Sequence, residues 1–264
     1  RVKKCSNFYS LSLPKITLPE TQYSLAWEGV LSKQQQLASD AIVEAIKNNK
    51  KILLYAVTGA GKTEMLFEGI LTALNLGKRV CIASPRIDVC LELAPRLKEA
   101  FSSVEIAVLY GDSDVPYKFT PLTIATTHQL LRFYHGFDVL IIDEVDAFPF
   151  HRNDVLNYGA KKCVKKEHTL IYLTATPSDK VRKMFSYEET LVLPARYHGH
   201  PLPEPRLLWS GEWQESLLNN KLTKHKIIQQ IKTWLELDQR VLIFCPSIEW
   251  MKKFENKLHQ VFPE

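Results

Sequence analysis

"AVTGAGKTEMLF", residues 56 to 67, decides the fold. It sets two glycines, a lysine and a threonine between an apolar run, Ile52 to Val57, and a segment with helical spacing. Glycines that turn successive backbone N–H groups inward make an anion cradle. A lysine next to them reaches the β and γ phosphates, and a threonine hydroxyl reaches Mg²⁺. The general phosphate loop begins with glycine, where this chain has Ala56; an ordinary negative φ there accommodates the alanine. The stretch Thr58, Gly59, Ala60, Gly61, Lys62, Thr63 and Glu64 is therefore the expected ATP site.

Working outward, "LSKQQQLASDAIVEAIKNN" before the loop has Leu37, Ala41, Ile42, Ala45 and Ile46 at helical spacing, with Ser32 as N-cap. After it, the β-rich runs "RVCIAS", "VEIAVL", "LTIAT", "FDVLIID" and "TLIYLTAT" alternate with helix-like segments at 62–76 and 88–101. Strands apolar on both faces, alternating with helices, predict an α/β fold with a parallel sheet covered by helices. Residues 1–30 carry scattered aromatics and prolines and read as an extended arm on the first domain, which runs over 31–205. The proline-rich stretch at 194–212 breaks the rhythm, and 206–222 reads as a linker. A second unit over 223–264 is expected to hold a helix near 223–237, a strand at 240–247 and a helix near 248–261. One strand between two helices buries no core alone, so the chain is expected either to stop inside a second α/β domain or to dock this remnant elsewhere.

Composition narrows the class further. The 264 residues are 45% apolar and 24% charged, and lysine plus arginine exceed acids by 34 − 29 = 5, too small an excess to establish a polyanionic partner. Cys5, Cys81, Cys90, Cys163 and Cys245 form no C-x-x-C pair, which argues against a zinc knuckle or a redox motif and for a reducing interior. No apolar run approaches the ~18 residues that span a bilayer, so no direct membrane insertion is expected.

"FDVLIIDEVD", 137–146, is an apolar run ending in acids, and ligands bind at the carboxyl ends of strands in open α/β sheets. Asp143 is placed to hold Mg²⁺ with Thr63, and Glu144 to orient or deprotonate an attacking water. With Lys62 these acids form the expected catalytic set.

"AVTGAGKTE", "DEVD" and "TAT" together resemble motifs I, II and III of superfamily 2 helicases, in which alanine is common at the position of Ala56. The strings at Ala56–Met65, Ala83–Leu93 ("ASPRIDVCLEL"), Ala125–Leu131 ("ATTHQLL") and Asp143–Pro149 ("DEVDAFP") further resemble the late competence ATPase (ComFA) family of transformable Gram-positive bacteria. The resemblance implies a RecA-like P-loop domain followed by the start of a second RecA-like domain, with ATP and Mg²⁺ as cofactors. It implies that Gln35 reads adenine, with Gln34 as a competing register. Pro85, Arg86, Thr126, Thr127 and His128 are implied to line a single-stranded DNA groove, and Thr174, Ala175 and Thr176 to couple nucleotide state to that groove. From residue chemistry alone Arg86 also reads as a capping or ion-pairing arginine, His128 as a helix-start hydrogen bonder, and "KKCVKK" at 161–166 as a solvated face.

The activity implied is a DNA-stimulated ATPase driving single-stranded DNA import in natural transformation, in the cytoplasm or held peripherally at the inner membrane face through partners. Implied partners are single-stranded DNA, a ComFC-like protein, a DprA-like mediator and the ComEC membrane channel. A replication-restart helicase of the PriA type, or a nucleotide-gated DNA-binding scaffold without turnover, would use the same motifs. The family's four-cysteine zinc module has only Cys5 to correspond to it ahead of these motifs, so zinc is not expected in this chain. Its motifs V and VI, which bring arginines to the γ-phosphate, have no counterpart before Glu264. ATP binding with weak turnover is the resulting expectation.

Overall fold

The computed structural model describes residues 21–111, 117–196, 204–207, 209 and 225–262. Cys5 and nearly all of the expected linker at 206–222 lie outside them. The chain forms two compact units, up to residue 201 and from residue 202 onward.

In the first unit, short runs rich in Ile, Leu, Val and Thr form seven strands, because such side chains pack well on a pleated surface. They are β1 (Lys51–Ala56), β2 (Val80–Ser84), β3 (Ile106–Leu109), β4 (Leu122–Thr126), β5 (Phe137–Ile142), β6 (Val164–Thr174) and β7 (Thr190–Leu193). They make one sheet in the order β3-β4-β2-β5-β6-β1-β7. Every pairing is parallel. Parallel strands require crossovers, and the helices that supply them cover both faces of the sheet.

One face is buried by α1 (Lys33–Lys47), α2 (Lys62–Asn75) and α3 (Ile87–Ala100), packing Ile42, Ile46, Phe67, Ile70 and Leu97 onto Leu54, Ile82 and Ile124. The other is buried by a 3₁₀ segment (Thr127–Arg132) and α4 (Asp154–Cys163), whose Leu130, Leu156 and Ala160 meet Leu53, Leu140 and Tyr172. A short helix α5 (Asp179–Arg182) precedes β7. The segment upstream of α1 lies against the unit: Ala26 N–H donates to Ala100 O (2.8 Å), and the Trp27 ring meets Phe67 edge-on at 5.5 Å.

This strand order brings four chain segments to one edge. The C-terminal ends of β2, β5, β6 and β1 lie side by side, so the residues after Ser84, Ile142, Thr174 and Ala56 converge. Ala56 closes β1 with strand geometry and is fully buried, which explains why a β-carbon is tolerated there.

The second unit holds α6 (Lys226–Glu236) and α7 (Ile248–Val261), joined through Ile228, Ile231 and Phe254. The strand expected at 240–247 is not formed: the segment has no strand pairing, and Leu242 and Phe244 are exposed. A strand exists only as one side of a ladder, and the described residues of this unit offer no second side. The "KKCVKK" run is likewise no single face. Lys161 and Lys162 end α4, Cys163 and Val164 are buried, and β6 begins at Val164, earlier than "TLIYLTAT". Among the described residues no helix is long and apolar enough to cross a membrane.

Candidate active site

The converging strand ends enclose a cavity of about 870 Å³, lined by Gln35, Thr58, Gly59, Gly61, Lys62, Thr63, Glu64, Asp143, Glu144, Thr174 and Ala175 among others. Ala60 is part of the same loop and is buried. Gly59 and Gly61 have φ of +81° and +73°, a region that side-chain-bearing residues adopt only under strain. Those two positions turn the loop so that α2 begins immediately after it. The amides of Gly59, Gly61, Lys62 and Thr63 donate to no acceptor among the described residues, as the exposed start of an anion-binding helix requires.

Lys62 reaches back instead: Nζ donates to Ala56 O (3.1 Å) and Val57 O (3.5 Å). Its ammonium pKa is lowered by burial, against the opposing pull of Asp143, Glu144 and Asp146. Asp143, one residue beyond β5, is fixed by its own N–H to Ala83 O (2.8 Å), and its carboxylate accepts from Glu144 N–H (2.9 Å). Burial raises the Asp143 carboxyl above its ordinary range, outweighing the lowering by Lys62. Glu144 has φ of +52°, and its Oε2 has no hydrogen-bond partner among the described residues, lying 3.6 Å from Arg86 Nη1.

Asp146 supplies a connection that sequence reasoning did not single out. It accepts hydrogen bonds from the hydroxyls of both Thr174 and Thr176, and Thr176 N–H donates to Thr174 Oγ1 at 3.0 Å. The turn after β5 is thereby tied to the turn after β6. The only sequence signal for it is a second aspartate three residues after the first.

Gln35 is buried and doubly engaged. Its Nε2 donates to Ala60 O (2.9 Å), and its Oε1 accepts from Ser32 N–H (2.8 Å) while Ser32 Oγ accepts from Gln35 N–H (3.3 Å). This capping box fastens the start of α1 to the phosphate loop. Gln34, the competing register, is exposed.

The residues assigned to a DNA groove leave the ends of two neighbouring strands, Ser84 standing opposite Thr126, but differ in exposure. Pro85, Thr126 and Thr127 are buried, and His128 is exposed. Arg86 lines the same cavity, pairing with Asp88 and facing Glu144. Arg96, missed by sequence reading, pairs with Glu64 on the cavity wall and stands 3.9 Å from Glu92.

Mg²⁺ takes one or two carboxylates together with phosphate oxygens and waters rather than a cage of side chains. The donor set fits that habit. Asp143 and Thr63 share the cavity, and no group of three His, Cys, Asp or Glu suited to a metal occurs among the described residues.

The profile of the DEAD/DEAH box helicase family matches residues 33–184. The chain is 47% identical over 235 residues to competence protein ComFA of Bacillus subtilis, across 87% of this chain and 50% of that protein. It is 42% identical over 245 residues to competence protein ComFA of Streptococcus pneumoniae, across 90% of this chain and 55% of that protein. Replication restart protein PriA of Rickettsia typhi is 25% identical over 274 residues, across 92% of this chain and 42% of that protein. The chain spans about half the length of the ComFA proteins it matches.

Proposed function

The chain belongs to the DEAD/DEAH box helicase family, and we propose that it is the ATP-binding part of a DNA-stimulated motor that draws single-stranded DNA inward during natural transformation. The observation that carries this reading is the convergence of Lys62, Asp143, Glu144 and the Asp146–Thr174–Thr176 link on one cavity. Identity to two ComFA proteins, well above that to PriA, supports transformation over replication restart.

In this mechanism the free amides of the phosphate loop take the β-phosphate, and Lys62 leaves Ala56 O and Val57 O for the β and γ phosphates. Thr63 and Asp143 would hold Mg²⁺, which neutralises charge on the phosphoryl group being transferred. Glu144, whose Oε2 has no hydrogen-bond partner among the described residues and stands 3.6 Å from Arg86 Nη1, is assigned to orient or deprotonate the attacking water. Asp146 carries the arrangement of the acids to Thr174 and Thr176, and from there to the DNA-facing surface. Pro85, Arg86, Thr126, Thr127 and His128 are assigned to DNA as a proposal, the buried threonines through their backbone. The work is done on the cytoplasmic side of the membrane channel, with ComFC-like and DprA-like proteins as candidate partners.

The test is ATP hydrolysis by the natural-length protein with and without single-stranded DNA. Lys62→Ala and Glu144→Gln should each lower the stimulated rate by about a hundredfold or more, while Glu144→Gln still binds ATP. Unchanged turnover in Lys62→Ala would sink the assigned site. Transformation surviving in Glu144→Gln would instead favour a scaffold that needs no turnover.

A further inference from the structure

β7 was not anticipated from the sequence, yet it places one more cation at the phosphate loop. It pairs in parallel with β1, Ala56 opposite Leu193, and Val57 N–H donates to Leu193 O at 3.2 Å. The two strands therefore leave the sheet side by side, β1 into the phosphate loop and β7 into Pro194, Ala195 and Arg196. The Arg196 side chain lies along the loop: its Cγ, Cδ and Nε are 3.8 Å from where a β-carbon on Gly59 would stand.

Arg196 Nε is buried and has no hydrogen-bond acceptor among the described residues. A guanidinium N–H taken out of water without an acceptor is unfavourable by itself. The loop beside it is no remedy, because Gly59, Gly61, Lys62 and Thr63 also present N–H groups without acceptors among the described residues. A set of donors gathered against one another with no acceptor among them is the chemistry of an anion site. The carboxylates of the cavity do not fill the role, since Glu144 is faced by Arg86 and Asp146 by the two threonines.

The geometry points to Arg196 as a phosphate ligand acting within the same domain, closing on the terminal phosphates of the bound nucleotide from the β7 side of the loop. Its planar fork suits two phosphate oxygens at once, which a lysine cannot match. This rests on the nucleotide site proposed above and adds a residue to it.

The experiment is equilibrium binding of ATP, ADP and AMP to the natural-length protein, in the wild type and in Arg196→Gln, Arg196→Lys and Lys62→Ala. Arg196→Gln keeps most of the packing on Gly59 and should weaken ATP about tenfold or more, ADP less, and AMP hardly at all. Arg196→Lys should fall between Gln and wild type. Wild-type ATP affinity in Arg196→Gln, or an equal loss for ATP and AMP, overturns the assignment. Thermal unfolding without nucleotide checks that each variant folds; if Arg196→Gln does not, an ATP loss in Arg196→Lys that is absent or equal to that for AMP decides against it. Lys62→Ala separates the two readings: unchanged ATP affinity there removes the nucleotide site itself, whereas loss there with none at Arg196 removes only this inference.

Discussion

Arg79, just before β2, and Lys62, just after β1, are cations drawn out of water at opposite ends of one sheet, and their surroundings differ in kind. Arg79 is 5% exposed, and its guanidinium donates to Thr120 O (2.9 Å), Gly136 O (3.1 Å) and Tyr117 Oη (2.5 Å). The rings of Phe119 and Phe137 stand 4.3 and 4.5 Å from it. Carbonyls and ring faces satisfy that charge without any carboxylate on the side chain. At the other end Lys62 holds two backbone carbonyls, one of them at 3.5 Å, and nearby Glu144 Oε2 has no hydrogen-bond partner among the described residues. The N-terminal end of the sheet is finished as it stands, whereas the C-terminal end keeps donors and an acceptor without partners among the described residues.

Breaking the finished end should have the largest effect on stability. Arg79→Met leaves a buried carbonyl, a half-buried one and a tyrosine without their donor and removes the cation from its rings. It should destabilise the protein by about 3 kcal/mol or more in urea unfolding, with the ATP affinity of the folded fraction unchanged. A loss below about 1 kcal/mol would mean that the cage is incidental.

Gln35 sharpens the contrast because it lies at the ligand end yet is satisfied like Arg79. Gln35→Ala opens the capping box and strands the Ala60 carbonyl, and should lower stability by about 1–2 kcal/mol. Its behaviour should therefore resemble Arg79→Met in kind and be smaller in size. Thermal unfolding of the nucleotide-free protein is the measurement, and no change in the midpoint would place the amide outside the framework.

The parts of the site legible in sequence were those in which function is written into a short run. The phosphate loop and the acids after β5 are local patterns, and strand alternation carried them to one edge of a parallel sheet. Local spacing also located α6 and α7. What escaped was long-range. The Asp146 bonds to Thr174 and Thr176 join turns far apart in sequence, and Arg86 turns toward Glu144 rather than away from the cavity. β7 has only four residues and abuts a proline-rich stretch, so neither it nor Arg196 beside Gly59 announced itself. The opposite error at 240–247 has the same root: a run of β-formers is not a strand until another strand pairs with it.

Asp143 tests the unfinished end with the smallest expected change and the opposite sign. Burial holds its carboxyl above the ordinary value of 3.8, so the folded protein binds that proton more tightly than the unfolded chain does. Stability then falls as pH rises from below 3.8 through the folded value, because folding must keep a carboxylate in a desolvated place. Asp143→Asn has no such ionisation. Without nucleotide and in a chelator, it should be more stable than wild type at neutral pH, by about 0.5–2 kcal/mol. The advantage should shrink toward zero below pH 3.8, where Asp143 is protonated in both states. The same variant should lose ATP hydrolysis. Stability gained and activity lost at one residue is the pattern of a group held in place for a ligand. A variant less stable than wild type at neutral pH would instead put Asp143 with Arg79, as part of the framework.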